Sequence, residues 1–217
     1  MFRLAEIREK NDMPSIGFVG MADYPIIKLV LLIFKQYLKN FQYIFQNNIF
    51  ESGPIIPYFI HRNSSLNKIK NTRGIKSNFI LRKTFAEGIR TIDSSARLTF
   101  INNIINNDYT FCMRGGGNYS LRLYETLCLG RIPLFINTNC VLPFEEKIDW
   151  KEICLWIDED NLDRIGEIII DFHSSITNNN FKERQVYARE VWEQYLSKEG
   201  FIKHFHDGIK RSLQSKV

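Results

Sequence analysis

The stretch Tyr109-Thr110-Phe111-Cys112-Met113-Arg114-Gly115-Gly116-Gly117-Asn118-Tyr119-Ser120-Leu121-Arg122-Leu123-Tyr124-Glu125 joins a compact apolar run to three consecutive glycines and then to an amphipathic segment. The apolar run 109–113 predicts a buried strand. Leu121, Leu123, Tyr124, Leu127 and Cys128 recur at helical spacing, so a helix is expected over 119–129. Gly130 follows as its C-terminal cap, because glycine tolerates the left-handed conformation there. Strand, glycine turn and helix in that order form one βα unit.

Outward from this unit the same alternation continues. Ser15 to Gly20 is a short apolar run ending in glycine and reads as a buried strand. Pro25 suits the first turn of a helix that runs to about Lys39. The run Ile26 to Phe34 is too short to span a membrane, which takes roughly 20 residues, and Lys28 interrupts it; it reads as a buried helix. Residues 41–71 mix aromatics, Pro54, Pro57 and an Asn/Ser/Lys-rich tail, which predicts a short strand and a long loop, with 63–77 the most linker-like part. Further strands are expected at 78–82, 132–136 and 153–157. Helices are expected at 96–106 and 161–174, the latter capped by Asp158 or Asp160. A last helical region covers 180–213, broken near 197–200.

Strands alternating with helices predict an α/β fold: a Rossmann-like, doubly wound parallel sheet with helices on both faces and a helical C-terminus. Residues 1–14 read as an N-terminal extension and 15–217 as the domain. The 217 residues are 44% hydrophobic and 24% charged, ordinary values for a globular chain. The net charge of +5 is scattered, which argues against a nucleic-acid partner and suits a phosphorylated small molecule or an anionic membrane surface. The N-terminus is charged and has no signal-peptide core. The cysteines, Cys112, Cys128, Cys140 and Cys154, form no CxxC pair. Three lie in apolar runs and read as buried free thiols, which favours a reducing compartment.

In a doubly wound fold, ligands bind beyond the carboxyl ends of the strands, where Gly115, Gly116 and Gly117 fall. Glycines allow close approach, and the following helix offers free N–H groups and the positive end of its dipole to a phosphate. Arg114 precedes the loop. Arg122 is placed to grip a diphosphate with its planar guanidinium. Glu125, three residues on, shares its helix face, and its carboxylate suits vicinal ribose hydroxyls. A tight connection and a surface Arg122–Glu125 ion pair account for the same pattern. The loop is neither a GxGxxG fingerprint nor a Walker loop.

Asp158-Glu159-Asp160 matches the form of a DxD metal motif, but acids just before a helix are favoured by capping, so no metal is expected. His204 and His206 do not share a helix face and read as surface residues; His61 and His173 show no partner. Trp150, Trp156 and Trp192 read as core, with Trp150 able to border a cleft.

The run 109–136, with Leu142-Pro143-Phe144, Ile148-Asp149-Trp150 and the opening Ile16-Gly17-Phe18-Val19-Gly20, resembles the exostosin-type glycosyltransferases of family GT47. The likeness covers roughly 16–175. It rests on Ser120-x-Arg122-x-x-Glu125 followed by Gly130-x-Ile132-Pro133 and Leu142-Pro143-Phe144. The resemblance implies the C-terminal, donor-binding half of a GT-B enzyme that transfers sugar from a nucleotide sugar to a glycan acceptor, with inversion and without metal or other cofactor. By the same resemblance Arg114, Gly115, Gly116, Gly117, Asn118, Ser120, Arg122 and Glu125 line the donor site, and Arg82 is either a second cation for the diphosphate or a strand-end surface residue. An inverting reaction needs a base, and no residue is assigned to it. Only about fifteen residues precede the first strand, so the acceptor domain of such an enzyme is expected to be absent, supplied by a missing N-terminal domain or partner chain. The alternative is a non-catalytic nucleotide-binding or regulatory remnant. A cytoplasmic or membrane-peripheral location is expected, or a Golgi-type lumen if an anchor lies upstream.

Overall fold

A computed structural model describes residues 6–22, 26–46, 57–82 and 94–214. Five strands, β1 (Ser15–Gly20), β2 (Lys76–Leu81), β3 (Tyr109–Cys112), β4 (Ile132–Asn137) and β5 (Leu155–Asp158), form one sheet in the order β2-β1-β3-β4-β5. Every neighbouring pair is parallel. The expected α/β architecture is thus present. The strand order reverses between β1 and β3, which is the switch point where such sheets open a crevice.

Parallel strands are covered on both faces, so they read as continuous apolar runs rather than alternating ones. Ile16, Phe18, Tyr109, Phe111, Ile132, Leu134 and Ile136 point into one core, closed by Leu66 and Ile69 of α2 (Tyr58–Asn71) and Ile165 and Ile169 of α6 (Ile165–Ser175). Cys112 and Phe135 point into the opposite core. Leu123 and Leu127 of α4 (Leu121–Cys128), Trp150 and Ile153 of α5 (Trp150–Ile153) and Ala188 and Val191 of α7 (Asn178–Val191) close it. Trp150 is therefore core, as its sequence context implies. α3 (Ser94–Ile105) lies against β1 at Gly17, where a Cβ would stand 2.7 Å from both Asn103 Oδ1 and Asn107 Nδ2. Only a residue without a side chain permits that approach. Gly130 has φ +63 and ends α4, as its sequence position predicts.

Three expectations are corrected. First, the described parts of 41–71 are helix rather than strand and loop: α1 (Ile26–Gln46) runs two turns past Lys39, and 58–71 is helix α2, while 47–56 lie outside the described residues. The Asn/Ser/Lys composition of α2 hides its helical period, because only Ser65, Leu66 and Ile69 are fully buried. Second, α1 is not a buried helix; Ile27, Leu31 and Phe34 are 76%, 62% and 60% exposed. Apolar content all around a helix does not by itself say which row is covered. Third, neither Asp158 nor Asp160 caps a helix with its side chain. A 3₁₀ segment, Glu159–Arg164, intervenes before α6, and Asp158 Oδ1 instead accepts from Asn137 Nδ2 (2.8 Å) and Trp156 Nε1 (3.0 Å). Residues 6–14, ahead of β1, are hydrogen-bonded to the body of the domain. Arg131 Nη2 donates to Glu6 O (2.9 Å), Lys10 Nζ to His173 O (2.7 Å), and Asn11 Nδ2 to Asp108 Oδ2 (2.8 Å).

The C-terminal break falls where the sequence puts it. α7 passes into a short π-helical segment, Trp192–Leu196, and α8 (Lys198–Gln214) begins after Ser197. His204 is no plain surface residue, since its ring stacks on Tyr195 at 4.5 Å. The four cysteines are free; Cys112 and Cys154 are buried, whereas Cys128 and Cys140 are only half-buried.

Candidate functional site

The loop after β3 opens at the switch point. Arg114, at its start, lays its guanidinium over the Tyr58 ring, 3.9 Å from the centroid. Its carbonyl accepts from Arg62 Nη2 (2.5 Å), while Arg62 Nη1 donates to Met21 O (3.2 Å). Tyr58 and Arg62 stand four residues apart at the start of α2, on one helix face. They bind the glycine loop to the segment after β1. Arg62 also stands against Gly115, 3.7 Å from where a Cβ there would be. Gly116 has open space around it, so the loop presents bare backbone to solvent.

Arg122, in the first turn of α4, reaches back across the switch. Nη2 donates to Val19 O (2.6 Å) and Nη1 to Phe111 O (3.4 Å), at the carboxyl ends of β1 and β3. Its guanidinium rests on Phe18, 4.4 Å from the ring centroid. Gly20 makes this possible, because a Cβ there would lie 3.0 Å from Arg122 Nη2. Burial lowers the Arg122 pKa from its ordinary value, against a smaller opposite effect of Cys112 and Glu125. Arg122 Nε and Arg114 Nε are buried without a hydrogen-bond partner. Neither arginine has a carboxylate within ion-pair distance among the described residues; the acids nearby are engaged elsewhere.

Glu125 pairs with Arg97 of α3 at 3.3 Å rather than with Arg122. The two α4 residues nevertheless share a flank: Phe100 lies 5.8 Å from both the Arg97 and the Arg122 guanidinium carbons. Arg97, Phe100, Tyr124, Glu125, Cys128 and Trp192 line a recess of about 200 Å³. Arg82, just past β2, donates to Ala96 O (2.9 Å) and stands near enough to Arg122 to oppose its charge. Asn118 clamps the next loop: Nδ2 donates to Thr138 O and Asn139 O (both 3.2 Å), and Oδ1 accepts from Thr138 Oγ1 (2.8 Å). Ser120 is buried at the N-cap of α4 without a capping bond from its side chain.

The structure places Arg114 and Arg122 with the glycine loop at the β1–β3 switch point, with Arg82 near Arg122, and gives Asn118 bracing contacts to the loop after β4. The sequence reading missed Tyr58, Arg62 and Arg97. The signal for the first two was the i, i+4 pair Tyr58–Arg62, obscured because α2 was read as a loop. No group of three His, Cys, Asp or Glu side chains suited to a metal occurs among the described residues.

Sheet order, switch-point loop and clustered guanidinium groups define a Rossmann-like α/β domain with a cationic crevice at its carboxyl edge. A family model for the exostosin GT47 domain matches residues 53–171, more than half of the chain, from α2 into α6 and so including the glycine loop and Arg122. The chain belongs to the exostosin GT47 family. It is 38% identical over 89 residues to exostosin-1 of Drosophila melanogaster, a match covering 40% of this chain and 11% of that protein. Over an equal span it is 32% identical to human exostosin-2, covering 40% and 12%. A probable glucuronosyltransferase of Oryza sativa subsp. japonica is 32% identical over 71 residues, covering 33% and 16%. The matches span from about a tenth to about a sixth of the length of these relatives.

Proposed function

We propose that this chain is the donor-binding domain of a glycosyltransferase, holding a nucleoside-diphosphate sugar at the β1–β3 switch point. The observation that carries the reading is the pair Arg114 and Arg122, each with a buried Nε and, among the described residues, no carboxylate partner, beside three glycines. A desolvated guanidinium lacking a counter-charge is costly. A diphosphate supplies that counter-charge, and the bare loop lets its oxygens reach backbone N–H groups. Arg114, stacked on Tyr58 and backed by Arg62, takes the diphosphate. Arg122, fastened to Val19 and Phe111, fixes the floor of the crevice and adds charge from beneath. Glu125, freed from Arg97, is placed for ribose hydroxyls, and Arg82 adds a further cation.

In an inverting transfer the acceptor hydroxyl attacks the anomeric carbon as the bond to the diphosphate breaks. Negative charge then grows on the leaving diphosphate, where arginines stabilise the transition state without a metal ion. The acceptor glycan and the base for its proton belong to the rest of the transfer machinery, another domain or chain. The glycosyltransferase names of the relatives support this class, and the rice relative makes a uronic-acid donor a sensible first trial.

The test is calorimetric titration of the chain with UDP, GDP and ADP in EDTA. The expected result is saturable binding of one nucleotide, weakened about tenfold or more by Arg114→Ala, the loss of one charge-assisted contact. Absence of binding to all three, or affinity unchanged in Arg114→Ala and Arg122→Ala, overturns the assignment. Sugar transfer by the chain alone separates the enzyme from a non-catalytic remnant.

A further inference from the structure

The helix α1 presents its more apolar side outward. Leu29, Ile33, Gln36 and Asn40, spaced at 3 and 4, form its partly buried row. Ile27, Val30, Leu31, Phe34 and Leu38 form another row of the same spacing, and all five are exposed, from 44% to 76%. Two polar residues thus lie in the covered row and none in the exposed one, an inversion of the usual arrangement. Such a stripe of large exposed apolar side chains along a helix marks an interaction site.

The charges on α1 say what covers it. Its 21 residues contain no Asp or Glu and three lysines, Lys28, Lys35 and Lys39. Lys35 and Lys39 are exposed and, by the helical repeat of 100° per residue, flank the apolar row on one side; Lys28 precedes Lys35 by two turns. Protein interfaces are depleted in lysine. A lipid surface favours it, since the chain's methylenes lie along the acyl boundary while the ammonium reaches anionic headgroups. No helix among the described residues is long and apolar enough to cross a membrane. The geometry is that of a helix lying in the interface plane.

We infer that α1 docks this domain on an anionic lipid bilayer, with Ile27, Leu31, Phe34 and Leu38 in the acyl boundary and Lys35 and Lys39 at the headgroups. Each lysine near such a surface is worth roughly fivefold in partitioning. The inference is independent of the donor-site reading, because α1 contributes no residue to the crevice.

Sedimentation of the chain with vesicles tests it. The protein co-sediments with phosphatidylcholine vesicles containing phosphatidylserine, several-fold more than with phosphatidylcholine alone, and less as salt rises. Leu31→Glu/Phe34→Glu removes at least nine-tenths of that binding, while circular dichroism and UDP affinity stay at the parent's values. Lys35→Glu/Lys39→Glu abolishes the preference for phosphatidylserine. Binding to neither vesicle, or binding undiminished in Leu31→Glu/Phe34→Glu, overturns the proposal. So does a parent dimer, seen by analytical ultracentrifugation, that the same double substitution dissociates, because the apolar row then belongs to a second copy.

Discussion

The Arg114 guanidinium lies over the Tyr58 ring, 3.9 Å from its centroid, and so ties the glycine loop after β3 to the start of α2. The stack orients a cation that has no carboxylate partner among the described residues. A cation over an aromatic face gains about 0.5–2 kcal/mol, more as water is excluded. Tyr58→Ala therefore weakens UDP binding roughly threefold to thirtyfold by calorimetry. Tyr58→Phe keeps the ring and stays within about twofold, because the Tyr58 hydroxyl makes only a long bond to Glu159 (3.4 Å). Equal losses in both variants would show that the hydroxyl, not the ring, matters.

Gly17 and Gly116 test where glycine is needed for packing and where for access. A Cβ at Gly17 meets Asn103 Oδ1 and Asn107 Nδ2 at 2.7 Å, and both side chains are buried and bonded, to Asn78 O and Asn103 O. Gly17→Ala must push α3 off β1 and costs about 1–3 kcal/mol, as overpacking does. In thermal unfolding this lowers Tm by roughly 2–12 °C for a domain of this size. Gly116→Ala meets nothing within 4 Å and leaves Tm unchanged within about a degree, as surface changes do. Its effect falls instead on UDP affinity, through the closer approach that bare backbone allows.

The βα unit at 109–130 was legible because two signals agree there. A continuous apolar run gives way to glycines, and the apolar period then changes from continuous to helical. The same logic located β1, β4 and the break after α7. It failed over 58–71, where helix α2 has three fully buried residues and a surface of Asn, Ser and Lys. With α2 unread, Tyr58 and Arg62 were invisible as site residues. For Arg122 and Glu125, spacing on α4 identified their common flank but not their partners. Those partners, Val19 O and Arg97, come from β1 and α3, over a hundred and nearly thirty residues away in sequence. Burial of α1 was misread for a related reason: apolar content names a sticky helix, not what covers it.

His173 makes stability depend on acid. Its ring bridges Tyr109 OH at Nδ1 (2.9 Å) and the Asn11 carbonyl at Nε2 (2.8 Å), with the neutral ring suiting both contacts. Burial pushes its pKa below the ordinary 6.5, opposed by the Asn11 bond, with Lys10 lowering it further and Asp108 raising it. A depressed folded pKa means the unfolded chain binds the proton first. The contribution is thus fully present above about pH 6.5 and is lost as pH falls from there through the folded value. Urea unfolding from pH 8 to pH 5 shows stability dropping at the acid end, and His173→Gln flattens that part of the profile. An unchanged slope in the variant would assign the effect to other groups.

The cysteines give a separate probe of the recess beside Glu125. Burial pushes the Cys112 thiol up to about 12 and the Cys154 thiol well above its usual value, and both are enclosed. The thiolate is the reactive form, so neither reacts in the folded protein. Cys128 and Cys140 are half-buried, with pKa values raised mainly by burial, and react slowly. Titration with a disulfide reagent near pH 8 accordingly shows two slow thiols in the native chain and all four in guanidinium chloride. Cys128 shares the recess of about 200 Å³ with Arg97 and Glu125, whereas Cys140 lies after β4. A bulky maleimide on Cys128 in a Cys140→Ser background therefore competes with whatever Glu125 holds. If Glu125 takes the ribose, prior saturation with UDP slows this labelling, and labelled protein binds UDP more weakly. Labelling that UDP does not slow, together with unchanged affinity of the modified chain, would separate Glu125 from the donor site and leave the arginine crevice to hold the diphosphate without it.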